Sequence, residues 1–91
     1  MFVHYPGATN RVEPRAVGGI DIAPTFAALA GTAPPTPVDG MNLVPVLDNT
    51  ASSWRDGVFI EWGGDDKATP AFNAGRTPTW KYAELATGER E

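Results

Sequence analysis

The side chains able to do acid–base, nucleophilic or metal chemistry are few and scattered in this sequence. Asp65-Asp66 offers the carboxylate oxygens that a hard divalent cation takes. It follows an apolar stretch, but no further acidic ligand is spaced to join it, so a solvated loop is the expectation. Asp48-Asn49 is a second oxygen-bearing pair and reads the same way, as polar loop residues. His4 is the only histidine, and a lone histidine without a nucleophile or second ligand is more often structural or surface. Glu84, Glu89 and Glu91 form no recognisable acid–base pair, because nothing fixes their separation. Trp54, Trp62, Trp80 and Tyr82 could build an aromatic platform for sugars or aryl groups. At alternating strand positions, however, such residues more often fill a sheet core. The absence of cysteine excludes disulfides, thiolate zinc sites and a cysteine nucleophile within these residues.

The elements that must position these groups are short. Ninety-one residues suffice for one small domain or a slice of a larger one. The 42% hydrophobic and 20% charged content is that of a globular chain, which argues against general disorder. Ten glycines and nine prolines lie in blocks between the apolar runs, giving short elements joined by irregular loops. The core is therefore modest and unstapled, and low stability in isolation is expected. A net charge of −4 with seven scattered basic residues argues against a nucleic-acid partner. No apolar run reaches the roughly 20 residues that span a bilayer, so no membrane partner is expected. The first seven residues lack the basic, apolar and cleavage regions of a signal peptide.

Met1 to Tyr5 is apolar and β-prone, and predicts a strand in need of neighbours to pair with. The stretch Gly18 to Gly31 predicts a helix with Asp21 as N-cap, its carboxylate accepting from the Ala23 N–H. Pro24 then falls in the first turn, where a missing N–H costs no helical bond. Ile22, Phe26 and Leu29 recur on one face, and Gly31 supplies the left-handed stop. After the stiff Ala33–Pro37 connector, Asp39-Gly40 turns the chain, and Asn42 to Leu47 predicts a short capped helix with Leu43 and Leu47 buried. Asp48 to Ser53 is loop and subdomain boundary. Gly57 to Trp62 predicts a strand, Asp65 to Thr77 a loop, and Thr79 to Leu85 a second strand. That second strand alternates, with Trp80, Tyr82 and Glu84 on one side and Lys81, Ala83 and Leu85 on the other. Thr87-Gly88 turns into a further strand beginning at Glu89. Both ends read as cut from something larger.

Three stretches taken in order carry a family resemblance. Ile20-Asp21-Ile22-Ala23-Pro24-Thr25, running to Leu29-Ala30-Gly31, is the first. Asp39-Gly40-x-Asn42-Leu43-x-Pro45-x-Leu47 is the second, with Asn42 where serine is usual. Trp54-Arg55-Asp56 with Val58 to Glu61, then Arg76-Thr77 to Trp80-Lys81-Tyr82, is the third. Together they resemble the C-terminal portion of the sulfatase family, in the alkaline-phosphatase-like superfamily. Thr87 to Glu91 resembles the turn into the next strand of its small sheet, and Met1 to Gly7 the last strand of its large one.

The resemblance implies an α/β fold in which residues 1–52 end the large domain and 53–91 begin the small C-terminal antiparallel sheet. It implies sulfate-ester hydrolysis by a formylglycine made from Cys or Ser in a Cys/Ser-x-Pro-x-Arg motif, beside a calcium ion. A cation and positioned donors are needed where charge develops on sulfate and on the departing oxygen. Neither Ser52 nor Ser53 is followed by the required proline and arginine. Asp48-Asn49 lacks the glycine and histidine that follow the family's metal-binding Asp-Asn pair. No catalytic, cofactor-binding or metal-binding position of the family transfers to this chain, and its implied partner is the upstream part of the sulfatase domain. The expectation is an inactive piece of a sulfatase; the competing expectation is a small non-enzymatic carbohydrate-binding or interaction module using a Trp62 and Trp80 face.

Overall fold

A computed structural model describes residues 1–34, 36–65 and 69–91. The chain divides into two units. One comprises Met1–Glu13 with Val17–Trp54, the other Pro14–Ala16 with Arg55–Glu91.

The first unit is built on two helices. A 3-10 turn, Gly19–Asp21, leads directly into α1, Ile22–Leu29. Pro24 sits early in α1, where its lack of an N–H costs nothing. The helix ends as the glycine predicts. Gly31 takes φ +70, its N–H donates to the Ala28 carbonyl at 3.0 Å, and the Thr32 N–H donates to Ala27 at 2.9 Å. This paired closure satisfies carbonyls that a helix end would otherwise orphan. The second helix, α2, spans Val44–Leu47 with proline in its first turn. The Asn42 side chain accepts from the Val44 N–H at 2.9 Å, which is the capping role its position predicts. α2 closes by the same device as α1: Asn49 adopts φ +59, and the Asn49 and Thr50 N–H groups donate to Val46 at 3.1 Å and Pro45 at 2.8 Å. Leu43 and Val46 are buried, while Leu47 is only partly covered.

The burial of Leu47 is thus corrected to Val46, and three further expectations for this unit need correction. Met1 to Tyr5 is not a strand; these residues are irregular and Met1 to His4 are exposed. A lone β-prone segment gains no ladder bonds without a partner. The α1 face carrying Ile22, Phe26 and Leu29 is not covered either, with Phe26 66% exposed. The buried residues of the helix are instead Pro24 and Thr25. Finally, Asp21 makes no side-chain bond to the start of α1.

The second unit is a three-stranded antiparallel meander, β1-β2-β3. β1 is Val58–Trp62, β2 is Phe72–Arg76 and β3 is Lys81–Leu85. The sequence reading gave Asp65 to Thr77 as loop, yet β2 lies within it and is the central strand. Phe-Asn-Ala-Gly-Arg has little intrinsic strand preference, and the segment is ordered by a neighbour on each side. Beyond the Gly88 turn (φ +89), Ala83 and Glu91 exchange backbone hydrogen bonds at 2.9 Å, so the predicted further strand begins there. Val58 and Ala74 are buried on one face. That face also carries Ile60 and Trp62 on β1, Phe72 on β2, and Ala83 and Leu85 on β3, as the register requires.

Candidate functional site

The most ordered polar cluster joins the two helical segments of the first unit. Asp21 is fully buried, at 0% exposure. One carboxylate oxygen accepts from the Gly18 N–H and the other from the Met41 N–H, both at 2.8 Å. One turn on, the Thr25 hydroxyl donates to the Asp21 carbonyl at 2.6 Å and accepts from the Leu43 N–H at 2.8 Å. The side chains at 21 and 25 thus hold the backbone at 41 and 43. The approach is close enough that a Cβ on Gly40 would lie 1.9 Å from the Ile20 carbonyl oxygen. Gly40 is therefore required by contact with Ile20, beyond any role in turning the chain.

The cluster is structural in its chemistry. The Gly18 and Met41 hydrogen bonds to its carboxylate come from backbone amides, and the Asp21 side chain is fully buried. Thr25→Val keeps the shape of the side chain and removes both hydroxyl bonds, leaving the Leu43 N–H buried without its acceptor. We expect this to cost about 1–2 kcal/mol, measured as a shift in the urea midpoint with unchanged slope.

The other chemistry-bearing residues lie apart. His4 is exposed in the irregular N-terminal segment. Asp48 caps the C-terminal end of α2 and Asn49 supplies its left-handed residue, which gives this pair a backbone role. Asp65 accepts from the Thr69 N–H at 2.9 Å, while Asp66 lies outside the described residues. Glu84 pairs with Arg90 at 3.2 Å and Glu91 with Lys81 at 3.5 Å; both pairs are exposed and contribute little. Glu89 accepts from the Thr87 hydroxyl at 3.3 Å. Ser52 and Ser53 are exposed loop residues. Among the described residues, no group of three His, Cys, Asp or Glu side chains is placed to hold a metal ion.

The aromatic residues do not form the face that was expected. Strand register puts Trp62 with Phe72 and Leu85, whereas Trp80 precedes Tyr82 on the opposite side. The residue that joins Tyr82 across the sheet is Phe59, through Gly75. Sequence reading missed it because the pairing depends on β2. In the first unit, Phe2, Val12, Leu43 and Val46 line an open apolar cleft of about 390 Å³. Arg11 borders it, pairing with Glu13 and donating to the Val46 carbonyl.

The described residues do not fit the two groups that sulfatase chemistry would require. Neither Ser52 nor Ser53 stands in the sequence context that yields formylglycine, and among the described residues no three His, Cys, Asp or Glu side chains converge to hold a cation. No catalytic step is assigned to these side chains.

No curated protein and no solved structure matches the chain. A family model does, over residues 1–86, and its description is N-sulphoglucosamine sulphohydrolase, C-terminal. It spans both units and includes Asp21, Thr25, Gly40 and all three strands. The chain belongs to this sulfatase C-terminal family.

Proposed function

We propose that the chain is scaffold from the C-terminal part of a sulfatase, acting with sulfatase sequence outside these residues that supplies the nucleophile and the calcium site. On this reading residues 1–52 end the large α/β domain of an alkaline-phosphatase-like fold, and residues 53–91 begin its small sheet. The reaction of the complete enzyme is hydrolysis of a sulfate ester, and this chain by itself performs none of it.

The observation that carries the reading is the inverted burial of α1. Asp21 at its N-cap and its polar Thr25 are turned inward to the Gly40–Leu43 segment, and its apolar Ile22, Phe26 and Leu29 are turned out. A helix in a self-sufficient domain buries its apolar stripe. Here that stripe is free to lie against the catalytic body.

The test is direct. The purified chain, incubated with an aryl sulfate and calcium, should release no phenol above the rate in buffer. Calorimetric titration with calcium should show no saturable heat. Turnover by the chain alone would overturn the assignment of the reactive groups to sequence outside these residues.

A further inference from the structure

Beyond that reading, and independent of it, we propose that Asp39-Gly40 is a site of covalent self-modification, where Asp39 closes a succinimide with Gly40 and reopens as isoaspartate. The Asp39 carboxyl is exposed and makes no hydrogen bond among the described residues. The Gly40 N–H beside it is likewise unengaged among them. An electrophile and a nucleophile thus stand next to each other in the chain. The nitrogen belongs to the one residue type that has no side chain to screen it and the widest choice of backbone angles. Nor can Gly40 be exchanged, since a Cβ there would lie 1.9 Å from the Ile20 carbonyl oxygen. The contact that packs this segment against the start of α1 therefore also keeps the reactive pair in the sequence.

The atoms balance with water as the only co-reactant. The Gly40 nitrogen attacks Asp39 Cγ, an N–C bond forms, and the side-chain hydroxyl leaves as water with the proton from nitrogen. Water then adds to the imide at either carbonyl. Addition at Cγ restores aspartate. Addition at the main-chain carbonyl breaks the original peptide bond and leaves the chain running through Cγ, with a free carboxylate on Cα. No electrons are exchanged, and the charge is the same before and after.

Ring closure must turn the Asp39–Gly40 peptide, which the folded first unit restrains from one side. Beyond Gly40 the chain is tied, because the Met41 N–H donates to Asp21 and the Leu43 N–H to Thr25, both at 2.8 Å. Before Asp39 it is not, since Thr36 to Val38 are exposed and outside any helix or strand. The rate therefore follows local opening of the tie. The second such pair, Asp56-Gly57, differs in what must open. A Cβ on Gly57 would also meet backbone, 2.9 Å from the Arg76 carbonyl oxygen, but the next residue, Val58, is buried and paired with Arg76 in the β1–β2 ladder. Turning that peptide means parting two strands, so Asp56 reacts more slowly.

The full chain is incubated at neutral pH in water enriched in heavy oxygen, then digested in ordinary water. Each reopening of the imide leaves one heavy oxygen in the residue, and peptide fragmentation assigns it and tells aspartate from isoaspartate. Asp48, whose following N–H is engaged by the Val46 carbonyl, is the blank. Asp39 should gain label and isoaspartate faster than Asp56. Asp39→Glu keeps the charge but needs a larger, slower ring, and should abolish the label at that position. Thr25→Val, which releases Leu43, should raise labelling at Asp39 relative to Asp56 roughly fivefold or more. The proposal is overturned by any of four results: label at Asp39 no greater than at Asp48, labelling of Asp56 as fast as that of Asp39, label persisting in Asp39→Glu, or an unchanged ratio in Thr25→Val.

Discussion

Gly40→Ala should unfold the first unit. The added Cβ would stand 1.9 Å from the Ile20 carbonyl oxygen and 2.5 Å from its carbon. Neither atom is the end of a flexible side chain, so relief requires the two backbone segments to part. Parting them breaks the Asp21–Met41 and Thr25–Leu43 hydrogen bonds, which depend on that approach. The expected loss is about 3 kcal/mol or more, at the upper end of overpacking effects. Such a loss would exceed what a small core can absorb. It would appear as collapse of amide dispersion for residues 18–48 in an NMR spectrum, with the β1–β3 signals kept. A variant with native dispersion in both units would show that the Ile20–Gly40 approach has room to relax.

Asp21→Asn should be nearly as damaging, for a different reason. Both carboxylate oxygens accept from backbone N–H groups at 2.8 Å in a site closed to water. An amide presents one oxygen and one NH₂, so either Gly18 or Met41 would face a donor instead of an acceptor. Losing one charge-assisted bond and leaving a buried N–H unmatched costs about 3 kcal/mol. Chemical denaturation of the variant measures it. Combining Asp21→Asn with Thr25→Val should cost less than the separate losses added together, because both side chains hold the same segment. Full additivity would mean that the two bonds act independently.

What was legible in the sequence was local. Gly31 as a left-handed stop, Pro24 in a first turn, Asn42 as a cap and Thr87-Gly88 as a turn each depend on neighbours within a few positions, and each stands as read. The family was legible for a related reason, since its three segments are runs of such signals in fixed order, and the match over residues 1–86 agrees. What failed was non-local. Met41, one of the two backbone donors to the Asp21 carboxylate, lies 20 positions away, so spacing pointed to the nearer Ala23 N–H as the donor. β2 failed because its strand character comes from β1 and β3 and not from Asn73, Ala74 or Gly75. The aromatic face failed with it: without the middle strand, nothing indicated that Phe59 rather than Trp62 shares a face with Trp80 and Tyr82. Phe2 misled in the opposite direction, being apolar and β-prone in a segment that finds no strand to pair with.

The Asp21–Met41 tie has a further consequence for how this region can vary. It holds the far end of the proline-rich excursion at Met41, while the α1 cap at Gly31 holds the near end, so that the excursion need only span the gap. Closure entropy for a tethered loop grows with the logarithm of its length, and doubling that length costs about 0.6 kcal/mol. Insertions and deletions there should thus be nearly free, whereas a one-residue shift between Gly40 and Leu43 would break register with both anchoring side chains. Length variation among relatives is expected to concentrate in the excursion, while the spacing from residue 21 to 25 and from 40 to 43 stays constant.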